Sequence, residues 1–158
     1  MQRMSTDLKL EIKSTSSEQT ELLGNAIGAA LKGGEVIQLV SDLGGGKTTL
    51  TKGIVAGLGS DANVSSPTFT VSKEYQTPKL LLRHFDFYRL ADAGVVGLEL
   101  QEGFENPNTV TIIEWADIVE NVLPKDTIKI VLQQTGDDSR LLTCTAPEKY
   151  SYIAKVLA

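Results

Sequence analysis

A strand, a glycine-rich turn and a Lys-Thr pair follow one another between residues 36 and 50 of the chain. The apolar run Val36–Val40 predicts a strand, and residues 47–50 predict the first turn of a helix. Backbone N–H groups in a glycine-rich turn can converge on an anion because no Cβ obstructs the approach, and the helix N-terminus adds a positive dipole end. This layout is that of a P-loop, so the segment predicts a site for nucleotide phosphates.

The nucleotide-binding residues predicted from the loop are Asp42, Leu43, Gly44, Gly45, Gly46, Lys47, Thr48 and Thr49. Lys47 is predicted to reach the β- and γ-phosphate oxygens, and the Thr48 hydroxyl to hold Mg²⁺. Ser41 departs from the full pattern, which places a glycine five residues before Gly46. A serine is restricted at that point if the turn requires a positive φ. The alternative is a glycine-rich turn that binds no ligand, and the strand-to-helix context favours the phosphate site over it.

Length and composition limit the remaining possibilities. A chain of 158 residues with 41% hydrophobic and 22% charged residues predicts one globular domain, residues 1–158. The sequence has no run of bilayer length and no signal-peptide pattern at its start, so we expect a cytoplasmic protein with no membrane partner. The single cysteine, Cys144, lies in an alternating segment and is predicted to be a buried core thiol. The net charge of −5 without a Lys/Arg cluster implies that any nucleic acid is held by a partner.

Hydrophobic periodicity predicts an α/β fold with a central mixed sheet, parallel and antiparallel, flanked by helices. Strands are predicted at residues 7–13, 35–40, 69–75, 79–87, 109–113, 127–133 and 140–146. One helix is predicted after a capping box formed by Thr15 and Glu18, with an apolar repeat from Leu22 to Leu31, and another between Lys47 and Gly59. Residues 91–107 are predicted to be irregular or to contain short helices, and a short helix is predicted from Pro147. The two hairpins introduce antiparallel pairs beside the crossover connections.

Two carboxylates are candidates for the magnesium side of the phosphate site. Asp86 follows an apolar run, as a Walker-B-like aspartate does, although a solvated residue at a strand end gives the same pattern. Glu114 comes directly after the buried run 110–113 and precedes Trp115. A functional carboxylate and an interface ion pair are both consistent with that position.

Four further residues are weaker candidates for a role in the site. Thr68 follows Pro67 in a loop where a switch-like hydroxyl would meet Mg²⁺ or the γ-phosphate, although a plain turn residue looks the same. His84, the one histidine, has no relay partner visible in the sequence and is predicted to be a neutral strand residue. Trp115 is either core or an aromatic beside the site that faces a partner. Arg140, near the C-terminal hairpin turn, is the candidate for the base side of the nucleotide.

The sequence favours ATP over GTP because it has no Asn-Lys-x-Asp segment of the kind that selects guanine. It also has no long Arg-rich lid of the sort that small-molecule kinases close over an acceptor. An ATPase is therefore the leading hypothesis. A small-molecule P-loop kinase and a non-catalytic, nucleotide-dependent binding module stay open as alternatives.

Four segments in order resemble one family. They are residues 42–50 of the glycine loop, Ser66-Pro67-Thr68-Phe69, residues 84–90 with the sequence HFDFYRL, and Ile113-Glu114-Trp115. Together they are similar to the TsaE (YjeE) family of bacterial P-loop ATPases, which serve threonylcarbamoyladenosine modification of tRNA. The resemblance extends from Thr20 and Gly24 to the C-terminal hairpin, and Ser41 departs from the family's usual glycine.

The resemblance implies a small P-loop domain with a mixed sheet that binds ATP and Mg²⁺. It implies work with TsaB and TsaD partners on tRNAs that read codons starting with A, with the partners holding the tRNA. It also implies a set of roles. These are Lys47 on the phosphates, Thr48 on the metal, Asp86 and Glu114 around the metal and the attacking water, Thr68 as a switch-like threonine, and Trp115 beside the active site.

Overall fold

The computed structural model describes residues 7–41, 46–65, 72–88 and 94–158, without the side chains of Val95 and Val96. Within these ranges the chain forms one seven-stranded sheet with helices packed on it. The strands are β1 Leu8–Ser14, β2 Val36–Val40, β3 Ser72–Gln76, β4 Leu81–Asp86, β5 Thr109–Glu114, β6 Ile128–Gln134 and β7 Arg140–Ala146. The α-helices are α1 Ser17–Ala30, α2 Lys47–Gly57, α3 Gly94–Phe104 and α4 Ser151–Lys155, and 3₁₀ helices span Ala116–Val122 and Glu148–Tyr150.

The sheet has the order β1-β7-β6-β2-β5-β4-β3. Its centre is parallel, because β2 pairs with β5 and β6, and β4 pairs with β5. Both edges are antiparallel, where β3 pairs with β4 and where β7 pairs with β1 and β6. The β3–β4 and β6–β7 pairs are the two predicted hairpins, whereas the antiparallel pair of β1 with β7 joins strands far apart in the sequence. The predicted α/β fold with a mixed sheet is confirmed.

Alternate residues of the central strands point to two separate cores. Ile37, Leu39 and Ile112 belong to a large cluster that also holds buried apolar residues of α1, α2 and α4. Their strand neighbours Val36 and Ile113 belong to a smaller cluster with residues of α3 and the first 3₁₀ helix. The central strands are therefore covered on both faces, which explains why they read as continuous apolar runs in the sequence.

Helices α1 and α2 pack backbone to backbone through glycines, which the periodicity did not predict. A Cβ built on Gly24 would lie 2.2 Å from the carbonyl oxygen of Leu50, and one on Gly53 would lie 2.0 Å from that of Glu21. Gly28 and Gly57 repeat the contact one turn further along. The apolar stripe predicted for α1 is only partly right, since Ile27 is buried but Leu22 is 67% exposed.

Substitution of Gly53 by alanine is expected to lower the free energy of unfolding by about 1–3 kcal/mol, because the added methyl group meets backbone rather than a movable side chain. Gly136→Ala is the matched control, since a Cβ there meets only Ser139 side-chain atoms at 3.5 Å. The control is expected to stay within about 0.5 kcal/mol of the wild type. Urea denaturation measures both, and equal stabilities for the two variants would contradict the close helix contact.

Several predicted boundaries need correction. Helix α1 is capped one residue later than predicted, because the Ser16 side chain accepts from the backbone N–H of Gln19 at 3.1 Å and Gln19 in turn accepts from Thr15. The segment predicted to be irregular or to contain short helices includes α3, a helix of 11 residues. The predicted strand 69–75 is described only from Ser72 onward. Within the described ranges no helix is long and apolar enough to cross a membrane.

Candidate functional site

The candidate site lies where the carboxyl ends of β2, β4 and β5 meet the N-terminus of α2. The parallel register places Leu39 opposite Glu114 and Glu114 opposite Asp86, so the two predicted carboxylates are neighbours across strands. Lys47, the first residue of α2, closes the site from the helix side. Carboxyl ends of parallel strands are the usual ligand-binding edge of such sheets.

Helix α2 begins directly after a backbone position that requires glycine. Gly46 is its N-cap with φ +102, a left-handed conformation that is energetically unfavourable for any residue with a Cβ. Gly46, as the N-cap, provides no side-chain hydrogen bond to the start of α2. The first backbone N–H groups and the positive end of the helix dipole are therefore suited to an anion. Asp42, Leu43, Gly44 and Gly45, the other predicted loop residues before Lys47, lie outside the described residues.

Ser41 fits the loop entrance without backbone strain. Among the described residues Trp115 alone is a non-glycine with a positive φ, so the backbone at Ser41 does not require a glycine. The Ser41 carbonyl oxygen lies 3.5 Å from the Lys47 ammonium. The serine at this position is therefore compatible with the strand-to-loop turn.

Lys47 is a buried lysine with three described contacts. Its side chain is 8% exposed, and Nζ lies 3.5 Å from Oε1 of Glu114. The same ammonium lies 4.5 Å from the ring centroid of Trp115, in cation–π geometry. Burying an ammonium is costly unless it is paired, so these contacts, together with the Ser41 carbonyl, explain how it is tolerated.

Glu114 has both carboxylate oxygens engaged inside the protein. Its side chain is 3% exposed, Oε1 faces Lys47, and Oε2 is hydrogen-bonded to Nε2 of His84. His84 is a buried strand residue, as predicted, but it has a partner in Glu114 that was not visible in the sequence. His84 and Asp86 are two apart on β4 and share a face, and Glu114 lies diagonally across from His84. The contact of His84 with Glu114 could have been predicted by aligning the sequence of β4 with that of β5 in parallel register.

Asp86 and Trp115 lie next to the cluster formed by Lys47, Glu114 and His84. Asp86 is half-buried and accepts from the backbone N–H of Tyr88 at 3.0 Å. Trp115 has φ 55, which turns the chain sharply after Glu114, and its ring centroid lies 4.9 Å from that of Tyr88. The structure thus brings together Lys47, Glu114, Asp86 and Trp115 as the sequence predicted.

Arg140 lies on the other side of the α2 N-terminus. It lines a small cavity with Ser17, Thr20, Gly46, Thr49 and Asp138. A Cβ on Gly46 would lie 3.6 Å from its Nε, so the guanidinium passes beside the loop's end. Arg140 is therefore adjacent to the predicted phosphate site but on the opposite side from Trp115. Thr68, the predicted switch-like threonine, lies outside the described residues.

The donor set fits magnesium bound together with a nucleotide. Thr48 is half-buried at the second position of α2, and the nearby carboxylates Asp86 and Glu114 supply further oxygen atoms. The described part of the chain has no cluster of three or more His, Cys, Asp or Glu residues that suits a metal. Mg²⁺ commonly binds one or two carboxylates and fills its remaining positions with phosphate oxygens and water, which suits this sparse set.

Arg83, Cys144 and Glu35 are further buried ionisable groups. Arg83 donates to the backbone oxygens of Glu99 and Leu100 at 2.9 and 2.8 Å and so ties α3 to the sheet. Burial lowers the pKa of Arg83, against the opposing effect of nearby glutamates. Cys144 is fully buried, which confirms the predicted core thiol, and burial raises the pKa of this thiol to about 11. Glu35 accepts from the backbone N–H groups of Lys32 and Gly33.

Comparison with known proteins gives a consistent result. A family model described as "Threonylcarbamoyl adenosine biosynthesis protein TsaE" matches residues 14–142. The chain is 41% identical over 138 residues to the tRNA threonylcarbamoyladenosine biosynthesis protein TsaE of Bacillus subtilis, covering 87% of this chain and 86% of that protein. It is 34% identical over 132 residues to the protein of the same name from Rickettsia bellii, covering 82% and 90%.

The fold is also that of a solved structure. The crystal structure of Bacillus subtilis YdiB aligns with a TM-score of 0.80 and 33% sequence identity, over 98% of this chain and 97% of that one. The family match spans the helix α2 N-terminus, both carboxylates and Trp115. The chain therefore belongs to the TsaE family.

Proposed function

We propose that this chain is a Mg²⁺-dependent ATPase subunit in the formation of threonylcarbamoyladenosine on tRNAs that read codons starting with A. The observation that carries the proposal is the buried contact between Lys47 and Glu114 at the N-terminus of α2. A phosphate-binding lysine and a carboxylate beside it are the minimal charged groups for holding a nucleotide and orienting water. The proposed role in tRNA modification is inferred from the names of the relatives.

Each residue has a proposed role in this site. Lys47 binds the β- and γ-phosphate oxygens, together with the backbone N–H groups of residues 42–49. Thr48, Asp86 and Glu114 hold Mg²⁺, which when bound neutralises phosphate charge. Glu114 also orients the attacking water, Thr68 senses the γ-phosphate, and Arg140 contacts the base side through the cavity beside Gly46. Trp115 covers the Lys47 ammonium and limits the access of solvent to it.

Partners of the TsaB and TsaD type are proposed to complete the working assembly. The net charge of −5 disfavours direct binding of tRNA by this chain, so the partners would hold it. We also propose that residues 1–158 act as a single P-loop domain and that the protein works in the cytoplasm, where tRNA is modified. Turnover is then expected to be low in isolation.

Product analysis tests the proposed reaction. With ATP labelled on the γ-phosphate, the label is expected to appear as inorganic phosphate, with removal of Mg²⁺ by a chelator stopping its release. Transfer of the label to a metabolite would instead establish a small-molecule kinase. Tight nucleotide binding without any label release, in the presence of the partners and tRNA, would establish a binding module and contradict the ATPase.

A further inference from the structure

His84 is a fully buried polar residue whose one described polar contact is with Glu114. Its side chain is 0% exposed, and Nε2 is hydrogen-bonded to Oε2 of Glu114. Within the described ranges Nδ1 has no hydrogen-bond partner. An ionised carboxylate only accepts hydrogen bonds, so in this contact the ring donates through an Nε2–H to Glu114.

Packing alone does not explain a histidine at this position. The residue lies on the face of β4 that carries the large apolar cluster, opposite Ile112 on β5. An apolar side chain would fill that space without leaving a buried ring nitrogen unpaired, which carries a desolvation cost. The contact with Glu114 is what the imidazole provides and an apolar residue cannot.

Glu114 needs this contact most when Lys47 is engaged elsewhere. Lys47 and His84 are the two described side chains that hold its carboxylate. In the proposed function the Lys47 ammonium moves from Glu114 to the phosphate. His84 then remains bonded to Oε2 of Glu114, and Oε1 no longer has Lys47 beside it. The backbone of Glu114 is already fixed, since its carbonyl oxygen accepts from Phe87 N–H at 3.1 Å. Only the side-chain rotamer remains to be restrained.

We infer that His84 is a positioning residue that holds the Glu114 carboxylate in its working orientation through Oε2, so that Oε1 faces the nucleotide. This inference rests on the proposed ATPase function for its effect on turnover. The contact itself belongs to the protein without nucleotide. Two measurements therefore test it separately.

The first measurement needs no nucleotide and uses the fact that His84 is the only histidine. In ¹⁵N-histidine-labelled protein we expect a single imidazole with its proton on Nε2, protected from exchange with water. Glu114→Ala should remove that protection. A ring protonated on Nδ1 alone, or an Nε2 proton whose exchange is unaffected by Glu114→Ala, would overturn the inference.

The second measurement compares two amide variants that differ in reach by one methylene group. His84→Gln can place its amide donor near the position of Nε2, and His84→Asn cannot. We expect His84→Asn to lower kcat about 10- to 100-fold with little change in KM for ATP, because loss of a hydrogen bond that orients a metal-binding side chain typically has an effect of this size. His84→Gln should recover most of the loss, and the two variants should have similar melting temperatures.

The outcomes separate this inference from the proposed function. Wild-type kcat in His84→Asn, or equal losses in both amide variants, would overturn the positioning role. Absence of turnover in the wild type with partners and tRNA would instead contradict the proposed ATPase. In that case the imidazole measurement still decides whether His84 holds Glu114.

Discussion

Lys47→Ala is expected to reduce ATP turnover by at least about 100-fold and to weaken nucleotide binding, because the ammonium is the buried cation at the start of α2. Lys52→Ala is the matched control, since Lys52 lies on the same helix with an exposed side chain. Its turnover is expected to equal that of the wild type. Initial-rate kinetics together with ADP binding measure both effects.

The same substitution has a consequence for stability. Removing Lys47 leaves the Glu114 carboxylate buried with His84 as its one described partner, and breaking a buried pair in this way costs up to about 3–5 kcal/mol. Adding Glu114→Gln to Lys47→Ala removes the uncompensated charge, so the double variant should recover part of that loss. Turnover is therefore compared per folded molecule. Unchanged kinetics in folded Lys47→Ala would refute the phosphate role.

Glu114→Gln is expected to separate binding from hydrolysis. The amide keeps the shape of the side chain but removes its charge, so turnover should fall by about 100- to 1,000-fold. ADP binding measured without Mg²⁺ should be retained or tightened. In this variant Lys47 has no ion pair with residue 114 that must break before its ammonium can bind phosphate. Loss of both activities together would argue that Glu114 is structural.

Trp115 provides the binding measurement for this prediction. It is the only tryptophan, and its ring centroid lies 4.5 Å from the Lys47 ammonium, so movement of that ammonium onto phosphate should change its emission. Glu105→Gln serves as a control because Glu105 is an exposed residue after α3. Wild-type turnover in Glu114→Gln would contradict the role proposed for this carboxylate.

The mixed sheet and the meeting of Asp86 with Glu114 were predictable from the sequence. Both carboxylates follow apolar runs that end at the same edge, and parallel pairing of β4 with β5 brings them opposite each other. Lys47 was predictable because the glycine loop identifies the helix N-terminus that carries it. Local patterns were sufficient here because strand ends and helix starts determine where these side chains lie.

Contacts between distant segments were not predictable in the same way. The contact of His84 with Glu114 joins residues 30 positions apart, and finding it requires the residue-by-residue register of β4 against β5 and not only the positions of their strand ends. The α1–α2 packing depends on glycines whose missing side chains give no hydrophobic signal, so periodicity assigned the wrong face to Leu22. Helix α3 was underestimated because its two internal glycines, Gly97 and Gly103, lower helix propensity, while Arg83 holds it on the sheet.

ATP turnover with and without the proposed partners of the TsaB and TsaD type and tRNA is the most direct test of the central claim. We expect slow release of phosphate by the isolated chain and a clear rise when all partners are present, with Glu114→Gln abolishing the rise and the tRNA modification together. No stimulation by the partners, with tRNA modification unaffected by Glu114→Gln, would contradict the account.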